Sequence, residues 1–339
     1  MKFYYIVACS AAWNISLFAQ PAASSSPAPR LMSPLYRPSS SSTPSRSSNY
    51  LRKVLDTRDI RNQMDKILVT GSKGFIGKNL IKKLTKCQII TDSDEFRHIN
   101  LNDEKQVMEL DSADIVIHLA GKIPQKDFEQ KKYFENNVSV TRNILKYCIK
   151  NKIKKIIYVS SYIYGKPQYS PIDETHSINP HTAYSRSKYE GEKLCKFYSD
   201  NSDLNVTILR PFNIFGQSMK EGFLISNLIN SIKTGKKITI INKNSKRDFL
   251  YIDDFMDLIL KIKDYNSKFD IFNVGTGRSY SFLEIIEKIE KNSSKKFNID
   301  FKEDNTFIED IKADITKINN KIDWQPKIKL EQGLKKMLE

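Results

Sequence analysis

Lys66-Ile-Leu-Val-Thr-Gly-Ser-Lys-Gly-Phe-Ile-Gly77 is the stretch on which the fold turns. Its first five residues are a short apolar run, the pattern of a strand buried on both faces of a parallel sheet. The run ends in Gly71, and Phe75, Leu80, Ile81 and Leu84 then recur at helical spacing. Between strand and helix lies G-x-x-G-x-x-G: Gly71, Gly74 and Gly77. Glycines keep such a turn tight, leave backbone N–H groups free to approach a pyrophosphate at the helix N-terminus, and let helix and strand pack closely.

Outward from this loop the pattern repeats. Cys87–Ile90, Ile115–Leu119, Lys155–Val159 and Leu204–Leu209 read as strands; Asp103–Leu110, Val138–Ile149 and Tyr184–Tyr198 read as helices between them. Alternating strands and helices predict an α/β fold, a parallel sheet wound on both faces. After Arg210 the pattern loosens. Phe223–Lys233, Asp254–Ile262 and Phe282–Lys291 read as helices, Lys237–Ile241 and Phe249–Ile252 as strands. This predicts residues 65–210 as mainly a dinucleotide-binding, Rossmann-like domain. Residues 211–339 are expected to form mainly a smaller, irregular substrate-binding cap, with segments interleaved with the sheet.

Residues 1–64 differ in kind. Tyr4–Ala19 is apolar behind Lys2, about the length of a signal h-region, and Pro21–Ser48 is rich in Ser, Pro and Ala with Arg but no acid. The composition is that of a targeting leader or a disordered linker. A signal-like stretch followed by a basic, Ser-rich one resembles the two-part leaders of complex plastids; unrelated upstream sequence is the rival reading. The expected location is soluble, cytoplasmic or organellar, with the leader removed where it targets, and no membrane span in the mature core.

The net charge is +16 over 339 residues. Residues 1–64 hold eight basic and two acidic residues, so +6, leaving 47 basic against 37 acidic, +10, for the remainder. An anionic partner is one reading of that excess. Lysines scattered over solvated faces (Lys82, Lys83, Lys152, Lys154, Lys155) are the other, and no Arg-rich stripe interleaved with aromatics supports nucleic acid. Cys9, Cys87, Cys148 and Cys195 show no ligand spacing, so no metal site is expected and free thiols are.

Two further features carry chemistry. An acid at the end of the second strand binds ribose hydroxyls in dinucleotide folds. Asp92 is the candidate, with Asp94 as rival; an acid favours NAD over NADP, and Arg97 keeps NADP open. Asn100, ahead of the next helix, is a candidate adenine contact. Tyr184-Ser-Arg-Ser-Lys188 places Tyr and Lys four apart on one helix face. A phenol titrates at about 10, too high for a base at neutral pH, and a neighbouring ammonium favours its ionised form. Such a Tyr takes a proton from an alcohol as hydride leaves the carbon. Ser160, at the C-terminal end of the fourth strand where doubly wound sheets bind ligands, completes a set for alcohol/ketone interconversion.

The ordered motifs Thr70-Gly-Ser-Lys-Gly-Phe-Ile-Gly77, His118-Leu-Ala120, Asn137-Val138, Val159-Ser-Ser-Tyr-Ile-Tyr-Gly165, Tyr184-x-x-x-Lys188, Arg210-Pro-Phe-Asn-Ile-Phe-Gly216 and Arg247-Asp248 resemble those of the extended short-chain dehydrogenases/reductases, the NAD-dependent sugar-nucleotide epimerase/dehydratase family. The resemblance runs from about Lys66 to the end, including Asp323-Trp-Gln-Pro326. It implies that Gly71, Gly74 and Gly77 bind pyrophosphate, with backbone contacts from Phe75 and Ile76. Ala120, Gly121 and Asn137 would line the cofactor, and Lys188 would also hold the nicotinamide ribose. Asn213 and Arg247 match positions that bind the substrate's diphosphate, and Ser161 a position beside the sugar. The implied partner is a nucleotide sugar, with a homodimer compatible.

Dehydratases of the family carry Thr-Asp-Glu, or a variant with Glu, where this chain has Ser160-Ser161-Tyr162. The missing acid argues against dehydration and decarboxylation. It leaves C4 epimerisation, reduction of a 4-keto sugar, or nucleic-acid binding on the same scaffold, the last opposed by retention of Tyr184 and Lys188. One departure stands out. The family often has a second diphosphate-binding Arg near its C-terminus, and here Phe301–Asp310 offers only Lys302. That implies a looser grip on a diphosphate, or a different substrate.

Overall fold

The first strand, β1 (Lys66–Thr70), buries four successive residues, and β3 (Ile115–His118) and β4 (Lys155–Val159) are buried throughout. Such runs are stable only when both sheet faces are covered. The computed structural model describes residues 64–93, 98–124, 128–303 and 309–339. Among these, β1, β3 and β4 join β2 (Gln88–Thr91), β5 (Asn205–Pro211) and a later strand, Phe269–Val274, in a six-stranded sheet. All of its pairings are parallel. From β1 the chain runs outward to β2 and then returns to pair β3 on the other side of β1. That reversal opens a crevice at the carboxyl ends of β1 and β3, the place where doubly wound sheets hold ligands.

Alternate strand residues divide between two cores. Ile67, Val69, Ile117, Ile157 and Leu209 face one, with Leu80 of helix α1 (Phe75–Lys83). Leu68, Val116, Ile156, Tyr158 and Ile208 face the other, with Ile144, Leu145 and Cys148. The intervening elements are α2 (Glu104–Val107), α3 (Gln130–Tyr133), a π-helical turn at Phe134–Ser139, α4 (Val140–Lys150) and α5 (Ala183–Asp200). Thr182 caps α5, accepting from Ser185 N at 3.0 Å.

Beyond β5 the chain returns once to the main sheet, with β9 (Phe269–Val274), and otherwise builds a second layer: β6 (Asn213–Phe215), β7 (Ile238–Ile241), β8 (Lys246–Tyr251), β10 (Ser279–Ser281), β11 (Ile299–Lys302) and β12 (Asp310–Ile311). Strand β8 pairs with β6, β10 and β12.

Three readings are corrected here. Phe269–Val274 is not apparent as a strand in the sequence, because Asp270 and Asn273 interrupt its apolar run. Both are satisfied by distant partners: Asp270 by Lys317 and Lys321, Asn273 by Ile172 O and Tyr164. Lys155 is not a solvated lysine. It is buried in β4, and its ammonium donates to the carbonyls of Ile262, Lys263 and Tyr265 at the end of the helix Ile252–Ile262. That helix begins at Ile252, which the sequence pattern places in the preceding strand. The leader, Cys9, Asp94 and Arg97 lie outside the described residues. Cys87, Cys148 and Cys195 are free thiols. No helix of the described residues is long and apolar enough to cross a membrane.

Candidate active site

The glycine loop is shaped by contacts that larger residues would break. Gly71 has φ of +73°, and a Cβ there would lie 2.7 Å from Ala120 N; a Cβ on Gly77 would lie 2.3 Å from Gly71 O. Gly74 caps α1 without a side chain, which leaves the helix's first N–H groups for an anion. Phe75 and Ile76 are half-buried against the core. Asp92 secures the loop from β2: its carboxylate accepts from Gly71 N at 2.9 Å, Ser72 N at 3.1 Å and Ser72 Oγ at 2.7 Å. Asn100 lies on an exposed turn, its side chain accepting from Asn102 N, and its neighbour Ile99 donates its N–H to Asp92 O at 2.9 Å.

The other side of the crevice is braced by His118. Its ring nitrogens contact Thr70 Oγ1 at 2.6 Å and Thr141 Oγ1 at 3.0 Å. Burial, reinforced by the Lys188 charge, lowers its pKa to about 3, so it stays neutral and joins β1, β3 and α4. Ala120 N donates to Thr70 Oγ1. The π-helical turn adds a residue to the helical ladder at Asn137, a local irregularity frequent at functional sites. Asn137 is buried, accepts from Lys122 N at 2.7 Å and donates to Ser187 Oγ at 2.8 Å. A Cβ on Gly121 would lie 3.0 Å from Asn137 Oδ1 and 4.0 Å from Lys188 Nζ. The cofactor-side and helix-side candidates therefore meet at Gly121.

Lys188 is buried on α5. Its ammonium donates to Val159 O at 2.7 Å and lies 4.4 Å from the centroid of the Tyr158 ring. Burial lowers its pKa to about 8, leaving it mostly charged at neutral pH. Gly191 lets α5 approach Tyr158, because a Cβ there would lie 2.2 Å from the Tyr158 hydroxyl. Tyr184 is half-buried, its ring edge-on to Tyr133 with centroids 6.0 Å apart. Ser160 follows Val159, donating its N–H to Leu209 O at 2.7 Å. Among the described residues, Ser160 Oγ is buried and has no hydrogen-bond partner. A buried hydroxyl in this state is open to an atom from outside the chain, a water or a ligand. Ser161 beside it is half-buried.

In the second layer Asn213 Nδ2 donates to Asp248 O at 2.9 Å, placing it beside Arg247 across the β6/β8 pair. Arg247 is paired with Glu309 at 2.5 Å. Burial lowers the guanidinium's pKa against the opposing charge of Glu309. Asp248 beside it is no ligand-facing group. It is fully buried and accepts from Thr276, Gly277 and Ala313.

Sequence reasoning missed Thr70, Lys122, Tyr158, Ser187 and Glu309. Each acts on a site residue through a contact distant in sequence. The one local signal, Tyr158 just before Val159-Ser160, reads simply as strand apolarity.

The tight glycine turn, the open helix N-terminus and the small Gly121 wall fit a dinucleotide. A match to the NAD dependent epimerase/dehydratase family spans residues 67–275. The chain is 31% identical to a putative UDP-glucose 4-epimerase of Methanocaldococcus jannaschii, over 80% of this chain and 97% of that one. It is 29% identical to a dTDP-4-dehydro-6-deoxyglucose reductase of Escherichia coli, over 80% and 96%. In structure it is similar to a UDP-glucuronic acid 4-epimerase of Bacillus cereus in complex with NAD, with TM-score 0.71 at 27% identity, covering 80% of this chain and 96% of that one. From these matches and the glycine-loop geometry, the chain belongs to the NAD-dependent epimerase/dehydratase family.

Proposed function

We propose that this protein is an NAD-dependent nucleotide-sugar epimerase acting at C4 through a transient 4-keto sugar. The observation that carries the reading is the buried, unpartnered Ser160 Oγ one residue beyond the carbonyl that holds Lys188. In this reading Ser160 and Tyr184 share the sugar's O4. Tyr184 takes the hydroxyl proton and later returns it, and Lys188, charged at neutral pH, stabilises the phenolate and holds the nicotinamide ribose. NAD, when bound, would supply a reversible hydride acceptor for C4, able to serve either face of the ring.

Gly71, Gly74, Gly77, Phe75 and Ile76 surround the pyrophosphate, with Asp92 on the adenosine ribose, Asn100 near the adenine, and Ala120, Gly121 and Asn137 along the cofactor. Ser161 faces the sugar, and Asn213 and Arg247 hold the diphosphate. Ser161 and Tyr162 carry no carboxylate, so water is not eliminated. Residues 65–210 then serve mainly the cofactor and 211–339 mainly the substrate.

The similarity to an Escherichia coli 4-keto-sugar reductase supports a second reading, net reduction with NAD(P)H. The two separate when the protein is incubated with NAD and nucleotide sugars without reductant. A C4 epimer supports the first. Turnover only with a keto sugar and consumed NADPH supports the second, and turnover neither in that panel nor with keto sugars and NADPH, with the cofactor bound, rejects both.

A further inference from the structure

Arg247 has two side-chain neighbours that matter to its chemistry. Its NH2 group meets Glu309 Oε2 at 2.5 Å, and its guanidinium lies over the Phe282 ring, 5.7 Å from the centroid. NH1 donates to Lys246 O at 2.9 Å. The ion pair is largely removed from water, with side chains 13% and 11% exposed. It also lies near the strand end of Ser160, because Tyr162, two residues after Ser160, packs in one cluster with Ile311, which stands opposite Arg247 in the β8/β12 register. A carboxylate thus occupies the cation that the family resemblance assigns to the substrate's phosphates.

We propose that Glu309 is a specificity-determining residue of the substrate site, an internal anion that holds Arg247 and yields it only to a nucleoside diphosphate. The proposal rests on the nucleotide-sugar reading. A guanidinium presents one fork to a planar or tetrahedral anion, so the two ligands compete for it. Separating a buried pair leaves an uncompensated charge, so an uncharged ligand cannot drive the exchange. A diphosphate diester carries two negative charges against one, and it restores the lost interaction. Only a side chain has to turn. The backbone around Glu309 is fixed, with Lys246 N donating to Glu309 O at 2.7 Å and β12 paired to β8 immediately beyond. In place of a second arginine, this chain has an acid that raises the threshold for occupying the first.

The test is calorimetric titration of the full chain, saturated with NAD, by UDP, dTDP, GDP and ADP. The proteins compared are wild type, Glu309→Gln, Arg247→Gln, the double variant, and Asp310→Asn as a control for simple loss of a nearby exposed negative charge. The expected result is about tenfold tighter binding of the preferred diphosphate by Glu309→Gln. Asp310→Asn should change it less than about twofold, and Glu309→Gln should have no effect once Arg247 is Gln. Equal or weaker binding by Glu309→Gln, with NAD affinity unchanged, overturns the proposal, as does an equal gain from Asp310→Asn. If Glu309→Gln loses NAD binding, Glu309→Asp is read instead; its shorter reach loosens the pair and should tighten binding in the same direction, and no gain overturns the proposal. If no protein binds any diphosphate while NAD is bound, the nucleotide-sugar reading itself fails.

Discussion

The ammonium of Lys188 donates to the carbonyl oxygen of Val159 at 2.7 Å, tying the helix that carries Tyr184 to the strand end that carries Ser160. One contact thus joins the three residues proposed to act on the sugar hydroxyl. Tyr184 and Lys188 lie four residues apart on α5, and the next residue after the acceptor is Ser160.

Tyr184→Phe removes the proton acceptor and leaves the ring against Tyr133. Turnover should fall at least about 100-fold, the usual range for losing a general base. NAD affinity should stay within about twofold. Activity near wild type would remove Tyr184 from the chemistry.

Lys188 gives a pH signature in stability. Burial lowers its pKa from the ordinary 10.5 to about 8 in the folded protein. The folded state therefore binds this proton less tightly than the unfolded chain. Its favourable contribution is present above 10.5 and is lost as pH falls through 8. Lys188→Met keeps the stem but not the charge. Relative to that variant, wild type should gain about 3 kcal/mol in unfolding free energy between pH 8 and 10.5. Chemical denaturation at the two ends of that window checks it; a constant difference would contradict it.

Arg210 and Glu192 form a pair only 2% and 4% exposed, with Arg210 NH2 2.6 Å from Glu192 Oε2. Burial works against the Arg210 charge, and the hydrogen bonds and charge of Glu192 outweigh it. Arg210 NH1 donates to Tyr164, whose hydroxyl donates to Asn273, so α5, β5, the loop after Ser160 and β9 are braced together. Glu192→Gln should destabilise the protein by roughly 3–5 kcal/mol, because it leaves a buried guanidinium without its counter-charge. An unchanged denaturation midpoint would show that the pair carries little of the brace.

Gly77→Ala places a methyl group 2.3 Å from Gly71 O, a backbone atom with little room to retreat. The loop must open, and NAD affinity should fall at least about tenfold in titrations followed by cofactor fluorescence. Unaltered affinity would mean that the glycine turn does not set the cofactor site.

Legibility in the sequence followed the range of the interactions. Strands β1, β3 and β4 were plain because burial on both faces leaves a continuous apolar run, and the glycine turn because its constraint is local. Strand β9 was not, since Asp270 and Asn273 are tolerated there through partners such as Lys317, Lys321 and Tyr164, which arrive from other elements. Lys155 misled for the same reason: its burial depends on carbonyls at residues 262–265. Within the site, Ser160, Tyr184 and Lys188 could be named from type and spacing. Arg247 could be named too, but its pairing with Glu309 could not, because β12 carries no pattern of its own and meets Arg247 only across the β8 ladder.

The central claim is that one hydride leaves C4 and returns to it while Tyr184 handles the proton. The direct measurement uses a nucleotide sugar deuterated at C4, incubated with the protein and NAD in ordinary water without reductant, and followed by NMR and mass. The account predicts a C4 epimer that retains its deuterium, reaching the same mixture from either epimer. Loss of deuterium from C4, or no epimer from any nucleotide sugar while NAD is bound, would contradict it.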